Sequence, residues 1–125
     1  MLSLSPFIRY FLYDSPTDMR SGIYSLAGLV QNCLQQNPLS GDVFIFIGKS
    51  ANQIRLLQWD RDGYALYIKR LEKGTFERPS GKSLQITCQD LLLILEGIQL
   101  KSVQFRKRYT PMLEKKQLER RIKKD

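Results

Sequence analysis

The chain has 125 residues, of which 42% are hydrophobic and 26% are charged, and its formal net charge is +8. This length predicts a single domain with a real core, and no stretch approaches the ~20 apolar residues of a membrane helix. The sequence has no histidine and two cysteines, which excludes Ser-His and Cys-His nucleophilic machinery and leaves a zinc site without its usual ligands.

The N-terminal segment lacks a leading basic region and a long apolar run, and Pro6 comes early. We therefore expect no signal peptide and a cytoplasmic protein. The aromatic and apolar stretch from Phe7 to Tyr13 predicts a strand. Ser15-Pro16 ends it, because proline lacks the backbone donor that a ladder needs.

A helix is predicted next, with Thr17 or Asp18 as its N-cap and Asn37-Pro38 as its end. Apolar residues recur at steps of mostly three and four, which predicts one buried face. These residues are Met19, Ile23, Leu26, Ala27, Val30, Cys33 and Leu34.

Two residues of this predicted first turn are unfavourable there. Arg20 puts a cation near the positive end of the helix dipole, and Gly22 weakens a helix interior. One interpretation is that Arg20 pairs with Asp14 or Asp18 and that Gly22 permits close packing. The other is that Asp18 and Arg20 form a polar contact point for a partner.

Val43 to Ile47 is a continuous apolar run, which predicts a central strand buried on both faces. Gly48-Lys49-Ser50 follows it and is similar to the end of a phosphate loop. That motif needs a glycine five residues before Gly48, where this chain has Val43. We therefore reject a phosphate loop.

Ile54 to Trp59 and Tyr64 to Leu71 predict a hairpin, because Asp62-Gly63 is a strong turn signal. A two-residue Asp62-Gly63 loop would place Trp59 opposite Leu66 and Arg55 opposite Arg70. A three-residue loop would place Trp59 opposite Ala65 and Arg55 opposite Lys69. Both registers oppose like charges, which is unfavourable, so we expect an acidic group nearby, such as Glu72 or Glu77.

A short strand is predicted from Leu84 to Thr87, and Thr87 to Asp90 resembles a capping box. The helix that follows is apolar nearly all round, which predicts burial, and Gly97 fits its C-cap. Cys33 and Cys88 are expected to be buried small hydrophobic residues.

Charge changes sharply after residue 100. Residues 101–125 carry ten basic and three acidic residues, a net of +7, whereas residues 1–100 carry a net of +1. We predict one α+β domain over 1–100 and a basic extension over 101–125, with a helix starting at Thr110-Pro111. The domain is predicted to have a mostly antiparallel sheet, a central hairpin and two main helices packed on it.

Four aspartates are the obvious carboxylates: Asp14, Asp18, Asp60 and Asp62. A metal-dependent nuclease would need two or three to converge on cations. Asp60 and Asp62 flank a predicted turn, where aspartate is favoured for local backbone bonds. We therefore expect turn residues, no metal, no cofactor and no enzyme.

Basic and aromatic residues of the hairpin are the better candidates for binding an anionic partner. Aromatic rings stack on bases and cations hold phosphates, which suggests a DNA surface if these side chains share one face: Arg55, Trp59, Tyr67, Lys69 and Arg70. Alternatively, Trp59 and Tyr67 belong to the core and the cations are solvated. Arg106, Lys107 and Arg108 of the extension need no fixed geometry to bind DNA, but they are also compatible with a solvated tail.

Several motifs together resemble the second-open-reading-frame accessory protein of the insertion-sequence-sixty-six family of bacterial mobile elements, over roughly residues 1–100. They are Pro16-Thr17-Asp18-Met19-Arg20 with Gly22, Ser40-Gly41 with Phe44-Ile45-Phe46, Leu57-Gln58-Trp59-Asp60-Arg61-Asp62-Gly63, Lys69-Arg70-Leu71-Glu72-Lys73-Gly74-Thr75-Phe76, and Leu92, Leu95, Glu96, Gly97 and Ile98. Two positions depart from the family pattern: Arg78 stands where a tryptophan is usual, and Arg55 where lysine is common.

The resemblance implies an accessory role in transposition, with a separate, larger transposase doing the strand chemistry. It supplies no catalytic residues. We predict that the protein binds the element's DNA ends and acts with the transposase. The alternative is a protein-interaction adaptor that holds the transposase through Asp18, Arg20 and the hairpin edge without contacting DNA.

Overall fold

The computed structural model describes residues 4–78 and 85–97, which contain five strands and two helices. The strands are β1 (Tyr10–Leu12), β2 (Val43–Ile47), β3 (Gln53–Asp60), β4 (Gly63–Arg70) and β5 (Gln85–Ile86), and the helices are α1 (Ile23–Asn32) and α2 (Cys88–Glu96). The predicted extension, with Arg106, Lys107 and Arg108, lies outside the described residues.

The strands form one sheet in the order β4-β3-β2-β1-β5. Three of its strand pairs are antiparallel, and β1 pairs with β2 in parallel. The predicted α+β class with a mostly antiparallel sheet is therefore confirmed. The β3–β4 hairpin is not central, since β4 is an edge strand and β2 holds the middle.

Two apolar clusters cover the two faces of the sheet. On one face Phe44 and Phe46 of β2 pack against Leu26 and Val30 of α1. On the other face alternate residues of β2, including Ile45, pack with Leu91 and Ile94 of α2. Successive side chains of a strand point to opposite faces, so β2 is buried throughout, as its unbroken apolar run predicts.

Helix α1 begins later than predicted. Its N-cap is Gly22, and neither Thr17 nor Asp18 caps it. Thr17 instead forms a β-bridge with Gly48, and Asp18 accepts a hydrogen bond from the backbone N–H of Arg20. Gly22 permits no close packing, because a Cβ there would have no heavy atom within 4 Å. Arg20 thus precedes the helix and is not in its first turn.

Helix α2 has the predicted ends. Thr87 accepts a hydrogen bond from Asp90 N at 3.0 Å, and Asp90 accepts one from Thr87 N at 3.2 Å, which makes a capping box. Gly97 closes the helix with φ +82°. The helix is not buried all round, however, because Leu92 on its outer side is exposed.

The two cysteines are free, and the expectation that both are buried is wrong for Cys33. Cys33 is the C-cap of α1, and it faces solvent between Val30 and Leu34, which point to the sheet. Cys88 is half-buried at the start of α2.

Both predicted hairpin registers are wrong. The two-residue loop is Arg61-Asp62, one position earlier than expected, so Trp59 faces Tyr64 and Arg55 faces Ile68. Arg61 supplies the left-handed turn conformation, with φ +60°, and neither residue of the predicted Asp62-Gly63 loop does. Like charges are therefore not opposed. Among the described residues, no helix is long and apolar enough to span a membrane.

Candidate functional site

An open cleft of about 460 Å³ lies at one end of the central strands, where two loops meet. One loop follows β1 and the other follows β2. Because β1 and β2 are parallel neighbours, their carboxyl ends and the loops after them come together. The residues that line it, here called the loop cleft, are Pro16, Thr17, Asp18, Met19, Arg20, Lys49 and Ser50.

Main-chain contacts join the two loops. Thr17 N–H donates to the Ile47 carbonyl at 3.0 Å and so extends the parallel ladder beyond β1 and β2. Gly48 lies directly against Met19, since a Cβ at this glycine would be 2.9 Å from Met19 Cγ. A larger residue at position 48 would therefore push the loops apart.

Asp18 and Arg20 form a local ion pair at the rim of the loop cleft. Arg20 Nη2 lies 2.9 Å from Asp18 Oδ2, and the backbone N–H of Arg20 donates to Asp18 Oδ1 at 2.9 Å. Hydrogen bonds from the Arg20 side chain, and then from its backbone, lower the pKa of Asp18 to about 2. The predicted pairing of Arg20 with Asp18 is thus present, and the Arg20 side chain stays 90% exposed.

Arg55 and Arg78 hold the carbonyl groups of the two loops. Arg55 Nη1 donates to the Ser21 carbonyl at 2.6 Å and its Nη2 donates to the Met19 carbonyl. Arg78 Nη2 donates to the carbonyls of Gly48 and Lys49. Both arginines therefore help to fix the shape of the loop cleft.

The register divides the hairpin residues between two faces. Residues opposite one another in a ladder share a face, so Arg55, Trp59 and Arg70 lie on the α1 side. Lys69 and Tyr67 lie on the α2 side. The expected shared surface of basic and aromatic side chains is therefore split in two.

Trp59 is half-buried beside two tyrosines. Its ring meets Tyr64 edge-on at 5.0 Å, and Tyr64 meets Tyr24 edge-on at 6.4 Å. Such edge-to-face pairs are favourable. This ring cluster covers the end of the α1 side nearest the hairpin turn, and Trp59 contributes to packing there.

Asp60 is the last residue of β3 before the hairpin turn and Asp62 lies within the turn, where its N–H donates to the Asp60 carbonyl at 2.6 Å. Within residues 4–78 and 85–97, no three histidine, cysteine, aspartate or glutamate side chains come together as a metal site would require. Asp60 and Asp62 thus lie at the hairpin turn, as predicted.

Sequence reasoning missed Lys49, Arg78 and Thr17 as members of one site. The signal that would have joined them is the parallel pairing of β1 and β2, because it brings distant loops to one edge. Pairing partners are not encoded in the local pattern of either strand. Asp18 and Arg20 were singled out as a contact point, and they line the loop cleft.

Comparison with known proteins gives one family. The family model for the IS66 Orf2 like protein matches residues 8–105. Two uncharacterized proteins of Sinorhizobium fredii (strain NBRC 101917 / NGR234) are similar over 100 residues, which is 78% of this chain. They are y4hO, at 38% identity over 87% of its length, and y4jC, at 32% identity over 86% of its length. No solved structure matches.

Proposed function

This chain belongs to the IS66 Orf2-like family, and on that premise we propose that it assists transposition of an insertion sequence by binding the element's DNA. Family membership implies the accessory role in transposition. The observation that supports DNA binding is the uneven charge. Residues 101–125 carry a net of +7, and the preceding hundred residues are nearly neutral at +1.

A basic segment of this kind suits duplex DNA, whose backbone carries one negative charge per ~1.7 Å of helix axis. In our proposal Arg106, Lys107 and Arg108 make the principal phosphate contacts. Such contacts are independent of sequence, so any preference for element ends has to come from another part of the protein.

The part of the chain that the structure describes adds a smaller set of cations to this proposal. Arg70 is exposed and Lys69 is half-buried, on opposite faces of the edge strand. Arg20 and Lys49 stand at the loop cleft. Arg55 contributes nothing to phosphate binding here, because its guanidinium is already bound to two carbonyls. Trp59 is likewise assigned to packing against Tyr64.

Fluorescence anisotropy with the full chain tests the proposal. Labelled duplexes of the element ends and scrambled duplexes of equal length are titrated over a series of salt concentrations. We expect binding to both at low salt, a steep loss of affinity with rising salt, and tighter binding to element ends if sequence is read. Absence of binding to either duplex at low salt would contradict the proposal.

A second candidate function is an adaptor that holds the transposase. It is favoured by the Asp18–Arg20 pair, which is exposed at the rim of a cleft that could receive a peptide segment. Co-purification with the transposase in the presence of nuclease distinguishes the adaptor function from DNA binding. A complex that survives nuclease supports the adaptor, and loss of the complex supports contact through DNA.

A further inference from the structure

Strand β4 is an open sheet edge. It is eight residues long and, in the part of the chain that the structure describes, it pairs only with β3. Tyr67 and Ile68 in its middle are 39% and 48% exposed. An edge of this kind presents unpaired backbone donors and acceptors, and these can pair with another strand.

The hydrogen bonds of β3 and β4 fix which β4 residues turn their backbone outward. Leu71 N–H, just after β4, donates to the Asn52 carbonyl at 2.7 Å. Backbone groups of alternate residues point to opposite sides of an antiparallel strand, so odd-numbered residues of β4 face β3. The residues whose backbone N–H and C=O groups face outward are Tyr64, Leu66, Ile68 and Arg70.

We propose that β4 is a homodimer interface, in which the β4 strands of two copies pair antiparallel about a two-fold axis at Leu66. A two-fold axis makes the same surface serve both copies, and outward-facing residues must pair with outward-facing residues. With Leu66 opposite its own copy, Tyr64 lies opposite Ile68 and Asp62 lies opposite Arg70.

Charge favours this register. Each copy has an acidic residue, Asp62, just before the strand and a basic residue, Arg70, at its far end, so antiparallel pairing makes two equivalent ion pairs. Sliding one copy by two residues would place Asp62 opposite Glu72, a like charge. Sliding it the other way would place Asp62 opposite Ile68. Like charges directly opposite are destabilising and opposite charges are stabilising.

The middle of the strand is also self-complementary. Tyr64 and Ile68 form an aromatic–β-branched pair, which stabilises neighbouring strands, and it occurs twice about the axis. Lys69 lies opposite Gly63 on the other face, where it meets no side chain. The cationic end that would otherwise protect an edge from pairing is neutralised by Asp62 of the second copy.

Sedimentation velocity of the full chain, without DNA, tests the dimer with variants that reverse the charges at positions 62 and 70. The wild-type chain is expected at twice its 14.6 kDa mass. Arg70→Asp and Asp62→Arg each oppose like charges and should weaken the dimer about tenfold or more. The double variant exchanges the charges and should restore the dimer. Lys73→Asp is the control, because it makes the same change as Arg70→Asp beyond the strand.

A cross-link keeps the proposal testable if a charge variant fails to fold, which circular dichroism reports. In a chain with Cys33 and Cys88 replaced by alanine, Leu66→Cys should form an intermolecular disulfide on oxidation, and Lys69→Cys should not. A monomeric wild-type chain, single variants that dimerise normally, a double variant that stays monomeric, or no cross-link at position 66 would each overturn the proposal. None of these outcomes depends on whether DNA is bound.

Discussion

At the scale of single residues, the charged side chains around the loop cleft have different tasks. Arg55 and Arg78 are bound to carbonyl groups of the two loops, whereas Arg20 extends into solvent after pairing with Asp18. Positive charge alone would assign all three to a partner. Their hydrogen bonds separate the arginines that build the cleft from the one that a partner can reach.

Replacing Arg55 tests its structural role. Arg55→Met should lower the free energy of unfolding by about 1–3 kcal/mol, because the carbonyls of Met19 and Ser21 lose a charged donor. Urea unfolding measures this change. Lys73→Met, at an exposed position after β4 and outside the proposed dimer contact, is the control and should change stability by about 0.5 kcal/mol or less. Equal effects of the two substitutions would contradict the role of Arg55.

The Asp18–Arg20 pair predicts a pH dependence. The pKa of Asp18 falls from its ordinary value of 3.8 to about 2, so the pair stabilises the folded chain above pH 3.8, and this contribution is lost as the pH falls through about 2. NMR titration of the Asp18 carboxyl in wild type and in Arg20→Gln measures the effect. In the variant the pKa of Asp18 should rise towards 3.8 but stay below it, because the backbone N–H of residue 20 still donates to its carboxylate. An unchanged pKa of Asp18 would show that Arg20 is not its partner in solution.

At the scale of elements, the sequence predicted the helix ends that depend on residues close together in the chain. The capping box at Thr87 and the glycine at the end of α2 are short-range patterns, and both could be read directly. The start of α1 could not, because Thr17, a good N-cap by residue type, is drawn into a bridge with Gly48 by the parallel pairing of β1 and β2. The hairpin loop was misplaced by one residue because Arg61 adopts the positive φ.

Close contact between the two loops predicts opposite effects of alanine at two glycines. Gly48→Ala should destabilise the chain by about 1–3 kcal/mol, because its Cβ would meet Met19. Gly28→Ala, inside α1 with nothing within 4 Å of the new Cβ, should stabilise it by up to about 1 kcal/mol. Thermal unfolding of both variants measures this. Adding Met19→Ala should recover part of the loss at position 48, and failure to do so would contradict the contact.

At the scale of the whole molecule, the fold class and the family followed from sequence, and the candidate site followed only in part. The order and spacing of several motifs identified the family, and the apolar runs and turn signals gave an α+β sheet with a hairpin. The loop cleft depends on two strands that lie about 30 residues apart and pair in parallel. That these two strands pair has to be known before the side chains at positions 16 to 20 can be placed beside those at 49 and 50.

The charge distribution leads to our central proposal, that the strongly basic segment over residues 101–125 binds DNA, since the preceding hundred residues are nearly neutral. The most direct test is the salt dependence of binding by the wild-type chain and by a variant with Arg106, Lys107 and Arg108 replaced by glutamine. Each phosphate contact contributes about −0.9 to the slope of log affinity against log salt. Lys73→Gln, at an exposed position after β4, is the control. We predict that the triple variant binds more weakly and that its slope is smaller in magnitude by about 3, with a lesser change in the control. An unchanged slope in the triple variant would contradict the claim.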